Sequence, residues 1–269
     1  MPSMALSRIR DFDRRHERAC NLGERYPAAA EILTFYRRIT EFQKQVFHQI
    51  SPDQPKLQTE TSLRGLIDVA SAAHQLPALL SIIERAGTPI LKEAARELKD
   101  MSAAESMTLF EQFTNGVEGM ESPAYFCARV CLQPFAEHLA ANTEVTPGFG
   151  GSACPLCGGR PQLAVLRPEG DGGKRFLLCS FCITEWEFRR VLCPSCGEVD
   201  YRKLPRYSAD DIPAVRVEAC DTCKHYLKSV DLTVEGLAVP VVDEIAAAPL
   251  DLWALDRGYK KLQQNVMGF

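Results

Sequence analysis

The sequence predicts an α+β protein. An all-α helical N-terminal domain comes first, then two small β-rich modules each built round four cysteines, then a C-terminal helix. Three observations predict it. Apolar residues recur at steps of three and four through the first half of the chain. A Gly/Pro-rich run, Thr146-Pro147-Gly148-Phe149-Gly150-Gly151-Ser152, ends that pattern. Four Cys-x-x-Cys pairs then follow in one stretch: Cys154/Cys157, Cys179/Cys182, Cys193/Cys196 and Cys220/Cys223. The expected boundaries are 1–145 for the helical domain, 146–153 for the linker, 154–191 and 192–235 for the two modules, and 236–269 for the helical tail.

In the helical part, Ile32, Phe35, Ile39, Phe42, Val46 and Ile50 form one apolar face over Pro27–Ile50, and Ser51-Pro52-Asp53-Gln54-Pro55 breaks it. Leu63, Leu66, Ile67 and Ala70 mark a second helix. Pro77 restarts a third, which Gly87 ends. Thr88-Pro89 is an N-cap with proline at the first helical position. Ser102 and Glu105 have capping-box spacing for a helix that stops near Gly116. Ser122-Pro123 opens a helix carrying Phe126, Val130, Phe135 and Leu139, which Pro134 should kink or split.

Beyond the linker, Gln162–Leu166 and Arg175–Leu178 flank the turn-rich run Pro168-Glu169-Gly170-Asp171-Gly172-Gly173 and predict a hairpin. Glu185–Leu192 and Ala214–Ala219 read as further strands. Asp243–Lys261 returns to helix, with Ile245, Leu250, Trp253, Ala254 and Leu255.

A chain of 269 residues can bury a sizeable core. Its net charge of −4 is a poor match to nucleic acid or an anionic membrane. No run approaches the length of a membrane span, and Met1–Cys20 has no apolar signal-like segment. The eleven cysteines therefore read as metal or redox chemistry in a cytoplasmic chain, not as a disulfide framework.

Two cysteines separated by two residues can both point at one ion, so two pairs are the ligand set of one tetrahedral site. Twenty-one residues separate Cys157 from Cys179 and twenty-three separate Cys196 from Cys220, but only ten separate Cys182 from Cys193. The simplest pairing is sequential: Cys154, Cys157, Cys179 and Cys182 in one site, Cys193, Cys196, Cys220 and Cys223 in the other. Interleaved pairing is the alternative. Each inter-pair segment is long enough for one hairpin, which is the zinc-ribbon or rubredoxin plan.

Four thiolates suit zinc or a mononuclear iron, and spacing does not separate the two. A site filled by four sulfurs leaves no position for water, which argues against hydrolysis and for no catalytic residue. Cys154–Val230 carries twelve Lys/Arg and ten Asp/Glu. Two divalent ions, each bound by four thiolates, would make the region net negative, unlike most nucleic-acid-binding ribbons.

Cys127 and Cys131, one helical turn apart, read as buried core thiols, and Cys20 as a bystander. The histidines, His225 beside Cys223 among them, form no metal or catalytic motif. Trp186 and Tyr226 follow their cysteine pairs at similar offsets and are expected to pack over the sites.

The order of these motifs resembles the formate dehydrogenase accessory proteins of the FdhE type. The resemblance rests on Phe126-Cys127-Ala128-Arg129-Val130-Cys131-Leu132-Gln133-Pro134-Phe135-Ala136-Glu137, then Cys154-Pro155-Leu156-Cys157-Gly158 and Cys179-Ser180-Phe181-Cys182 leading into Thr184-Glu185-Trp186. It continues through Cys193-Pro194-Ser195-Cys196-Gly197, Cys220-Asp221-Thr222-Cys223 with Tyr226-Leu227-Lys228, and the tail from Val239 through Asp251-Leu252-Trp253-Ala254 to Gly258-Tyr259. The resemblance implies a cytoplasmic assembly factor needed for active respiratory formate dehydrogenase. It also implies binding to the catalytic subunit, which carries molybdenum or tungsten, and rubredoxin-like modules holding iron. No catalytic residue comes with it. Beside this stand a rubredoxin-like electron-transfer or redox-sensing protein and a zinc-ribbon nucleic-acid binder, the latter supported only by Arg189-Arg190 and Arg202-Lys203.

Overall fold

A computed structural model describes residues 4–51, 62–116, 122–146, 148–170 and 172–268, with side chains from Arg10 onward. Residues 52–55 of the expected helix break, Pro147 of the linker and Asp171 of the hairpin turn lie outside them. The chain forms two compact units. Unit 1 is Met1–His16 with Phe35–Glu144, and unit 2 is Glu17–Thr34 with Val145–Phe269. Helices α1 (Met4–Arg25) and α2 (Ala30–Gln49) thus give residues to both.

Unit 1 continues with α3 (Val69–His74), α4 (Leu76–Ala86), α5 (Pro89–Lys99), α6 (Ala103–Thr114) and α7 (Pro123–Ala141). The caps are where the sequence puts them. The side chains of Thr88, Ser102 and Ser122 accept from the backbone N–H of Leu91, Glu105 and Tyr125. Ser102 and Glu105 close a full capping box. Each cap satisfies a donor that the helix start leaves unpaired.

Helix α7 is buried on nearly every side from Cys127 to Ala141, so its polar residues must find partners inside. Glu137 takes two bonds from the Arg15 guanidinium, at 2.9 and 2.8 Å. Cys127 and Cys131 lie in this core, and burial raises both thiols, Cys127 to about 12.

Pro134 does not split α7, which runs unbroken to Ala141. A proline there has no N–H for the carbonyl of Val130, four residues back. Gln43 supplies the missing donor: its Nε2 donates to the Val130 carbonyl at 3.2 Å and to Gln133 Oε1 at 3.0 Å. Gln43→Leu should orphan that buried carbonyl and cost about 1–3 kcal/mol in chemical denaturation. In a Pro134→Ala background the restored amide satisfies Val130, and the same change should cost about 1 kcal/mol less.

Unit 2 is built on a seven-stranded sheet among the described residues, ordered β3-β2-β1-β6-β5-β4, with β7 pairing β6. Strands β1 (Pro161–Glu169), β2 (Gly172–Cys179) and β3 (Glu185–Glu187) form one antiparallel set. Strands β4 (Arg206–Ser208), β5 (Val215–Ala219) and β6 (His225–Asp231) form a second. The chain therefore makes the same three-stranded unit twice. Parallel pairing of β1 with β6, Leu163 opposite Lys228 through Leu166 opposite Asp231, joins the two. Both joining strands lie inside the sheet, and their burial is nearly continuous instead of alternating.

The single helix expected over Asp243–Lys261 is two, α8 (Pro240–Ala246) and α9 (Ala248–Asp256), followed by β7 (Lys260–Lys261). Pro249 in the first turn of α9 favours a fresh helix start. The sheet face made by Val215, Val217, Tyr226 and Val230 packs with Leu250 and Ala254 of α9. Arg18 holds the Glu17–Thr34 segment to α8 through two bonds to Asp243, at 3.0 and 2.6 Å. The strand expected over Glu185–Leu192 ends at Glu187.

Candidate metal centres

Four loops in unit 2 share one backbone design. In each, the amide of the first cysteine bonds to a carbonyl five residues on: Cys154 to Gly159, Cys179 to Thr184, Cys193 to Glu198 and Cys220 to His225, all at 2.8–2.9 Å. In each, the residue after the second cysteine has positive φ: Gly158 (70°), Ile183 (57°), Gly197 (79°) and Lys224 (58°). This turn folds both thiols to one side. Amides of Gly159, Phe181 and Ser195 point at the sulfurs of Cys157, Cys179 and Cys193, at 3.4 Å each.

Two of the four positive-φ sites are glycine, which adopts this conformation without strain. A Cβ at Gly158 or Gly197 would meet nothing within 4 Å. The cost of Gly158→Ala or Gly197→Ala is therefore purely conformational, and either should lower stability by about 1 kcal/mol in chemical denaturation.

The loops meet in sequential pairs. Cys154, Cys157, Cys179 and Cys182 form one quartet, and Cys193, Cys196, Cys220 and Cys223 the other; within each, all sulfurs lie within 4.8 Å of one another. Facing sulfurs are 3.5 Å (Cys154–Cys182), 3.4 Å (Cys157–Cys179), 3.7 Å (Cys193–Cys223) and 3.7 Å (Cys196–Cys220) apart. A tetrahedron of sulfurs about 2.3 Å from a central ion has edges of about 3.8 Å. The distances are thus close to those of a filled tetrathiolate site and far from a disulfide bond. Each quartet could hold one metal ion. Cys20, Cys127 and Cys131 belong to neither.

Electrostatics point the same way. In the first quartet burial pushes Cys179 and Cys182 well above the ordinary thiol value, while hydrogen bonding from Cys154, Cys179 and Cys182 pulls Cys157 far below it. Without a cation, such a site resists a full set of thiolates. A divalent ion bound there supplies the compensating charge.

The two quartets differ in exposure. All four sulfur residues of the first are buried, whereas Cys196 is exposed and Cys223 half-buried in the second. Burial raises Cys193 to about 12. At Cys223 burial is outweighed by bonds from the His225 backbone and ring and from Ser195, which bring it to about 6. His225 also bonds Ser195 through Nδ1 at 3.3 Å, so it belongs to the surroundings of the quartet. The Trp186 indole donates to the Gly151 carbonyl at 2.9 Å and the Tyr226 hydroxyl to Asp251 at 2.8 Å.

The last residues brace the fourth loop. Tyr259 donates to Asp221 at 2.8 Å, the Lys260 amide to the Lys224 carbonyl at 2.8 Å, and the Leu262 amide to the Tyr226 carbonyl at 2.8 Å. Sequence reasoning did not find this brace, since β7 has two residues and no pattern of its own.

Residues 153–190 match the family model "FdhE, central domain", and residues 189–267 match "FdhE, C-terminal domain". The two models meet between β3 and the Cys193 loop, where one three-stranded unit gives way to the next. The chain is 29% identical to an FdhE homologue of Aquifex aeolicus, over 92% of each chain. It is 27% identical to FdhE proteins of Escherichia coli, over 98% of this chain and 90% of theirs. By these matches the chain is similar to the FdhE proteins, and residues 153–267 carry the FdhE domain pattern.

The crystal structure of the FdhE protein from Pseudomonas aeruginosa has the same fold, with a TM-score of 0.75, 22% identity and 95% of each chain covered. This chain carries two zinc-ribbon-like cysteine quartets, each able to hold a metal ion. No described helix is long and apolar enough to cross a membrane.

Proposed function

We propose that this chain is a cytoplasmic assembly factor that binds the catalytic subunit of formate dehydrogenase during its maturation, without catalysing a reaction itself. The observation that carries this reading is a pair of four-sulfur quartets, with no position left for substrate or water, in a chain similar to the FdhE proteins. The eight cysteines hold two ions, iron by family resemblance, with zinc as the alternative. When bound, each ion supplies charge compensation and cross-linking, and iron adds a one-electron couple. The protein's own part is to fix the sulfurs with backbone amides and to present unit 2 as a rigid surface.

Co-purification without oxygen tests the reading. The chain should retain the catalytic subunit, and a deletion strain should lose formate dehydrogenase activity. Full activity in the deletion strain contradicts it. Metal analysis and EPR of the same preparation distinguish iron from zinc.

One observation favours a second reading, a rubredoxin-like electron-transfer or redox-sensing protein: Cys196 of the second quartet is open to solvent. A reversible iron couple assigned to that quartet supports this reading, and zinc in both quartets removes it.

A further inference from the structure

The second quartet borders a shallow, solvent-open cleft whose lining includes Cys193, Cys220, Arg175, Arg190 and Arg206. Its charged groups are mostly cationic. The only carboxylate is Glu218, already paired with Arg175 at 2.7 Å. Arg175 is buried, bonds the Arg189 carbonyl at 3.0 Å, stacks over Phe188, and leaves its Nε–H buried without a partner.

Arg190 and Arg206 are each anchored at one nitrogen only, Arg190 to the Gly173 carbonyl at 3.2 Å and Arg206 to the Arg190 carbonyl at 3.0 Å. Neither makes an ion pair among the described residues. A guanidinium carries five N–H donors in a planar fork that fits a carboxylate. Most of those donors are therefore uncommitted and are held at the edge of the cleft. Leu192, Leu204, Leu227 and Leu262 supply an apolar part of the lining, beside Ser195, His225 and Tyr226.

From this geometry we propose that the cleft binds a carboxylate borne on an apolar stem, with Arg190 and Arg206 taking the carboxylate and the leucines taking the stem. A tetrathiolate holding a divalent ion carries about −2 and opposes an anion beside it. Glu218 cancels Arg175, so the two unpaired guanidiniums are what offset that charge. The inference concerns the cleft alone and stands whether or not the chain binds a formate dehydrogenase subunit. The carboxylate's source is either a free carboxylic acid or the C-terminus of a peptide.

The test uses the metal-loaded full chain, titrated by calorimetry and by NMR of arginine side-chain N–H signals. The probes are hexanoate, hexanol, inorganic phosphate, and acetyl-Leu-Leu as free acid and as amide. Hexanoate or the free-acid peptide should bind saturably, and hexanol and the amide should not. The tighter of the two binders identifies the source. Arg190→Gln/Arg206→Gln should weaken binding by about tenfold or more, while Arg14→Gln, at an exposed arginine of unit 1, should leave it unchanged. The double variant lies on exposed side chains outside both quartets, so its metal content should match the parent. Absence of saturable binding, phosphate binding as tightly as hexanoate, or an affinity indifferent to the double variant would each overturn the proposal.

Discussion

Cys179→Ser is expected to unfold residues 153–268 of unit 2 while leaving residues 35–144 of unit 1 folded. Cys179 ends β2, is fully buried, and sits in a quartet whose other members are also buried. A serine hydroxyl there is a poor metal ligand, and water has no route in to replace it. Structural tetrathiolate or mixed sites contribute on the order of 10–16 kcal/mol in small modules, as much as the ~5–15 kcal/mol that separates most folded domains from their unfolded state. The damage should not stop at β3. Because β1 pairs with β6, loss of the first three-stranded set strips the second of its neighbour.

Hydrogen exchange should therefore show lost protection through residues 153–268, retained protection in 35–144, and metal content below one ion per chain. Cys196→Ser is expected to behave differently. Cys196 is exposed, so water can complete the coordination of the three remaining sulfurs. Its metal should bind more weakly with β5 and β6 still protected. Intact protection of β6 in Cys179→Ser would mean that the two halves of the sheet are energetically independent.

The parts that the sequence discloses are those with local causes. Thr88, Ser102, Glu105 and Ser122 cap helices because a side-chain oxygen two or three residues from an orphan amide needs no tertiary help. The quartets are legible because Cys-x-x-Cys followed by glycine or a left-handed residue builds its own turn.

What stays hidden depends on distant partners. Helix α1 carries many arginines and few apolar residues, and only the burial of Phe12, Ala19 and Leu22, with Arg15 paired to Glu137, shows how such a segment packs. Pro134 reads as a helix breaker until Gln43, far away in sequence, supplies its missing bond. Strand β6 has a lysine at its centre, which argues against a buried strand unless its counter-charges are known.

That lysine carries the second large effect. Lys228 is fully buried; its ammonium lies 3.1 Å from Glu244, contacts Asp251, and donates to the Ala247 carbonyl at 3.3 Å. Lys261 of β7 contacts Glu244 and lies 3.1 Å from Asp251, and Asn265 donates to Glu244 at 2.7 Å. Two cations and two anions thus cancel inside the fold, tying β6, α8, α9 and the chain end together.

Lys228→Met removes one cation and leaves a net negative charge buried, which should cost about 3–5 kcal/mol at pH 7.5. Burial by itself would push Glu244 up, but Lys228 and Lys261 overcome it and hold the carboxyl at about 2, against 4.5 unfolded. A carboxyl depressed in the folded state stabilises at pH values above 4.5, and that contribution fades as pH falls from there towards 2. In Lys228→Met the carboxyls lose half their compensation and should take up a proton at higher pH. The penalty relative to the parent should then shrink between pH 7.5 and 5.5.

Adding Glu244→Gln restores neutrality with Lys261 and Asp251 and should recover much of the loss, giving a coupling energy of a few kcal/mol between positions 228 and 244. Chemical denaturation across that pH range, with metal content followed in parallel, reads both effects. A penalty that is flat with pH and unrelieved by Glu244→Gln would assign the role of Lys228 to packing of its stem, not to its charge.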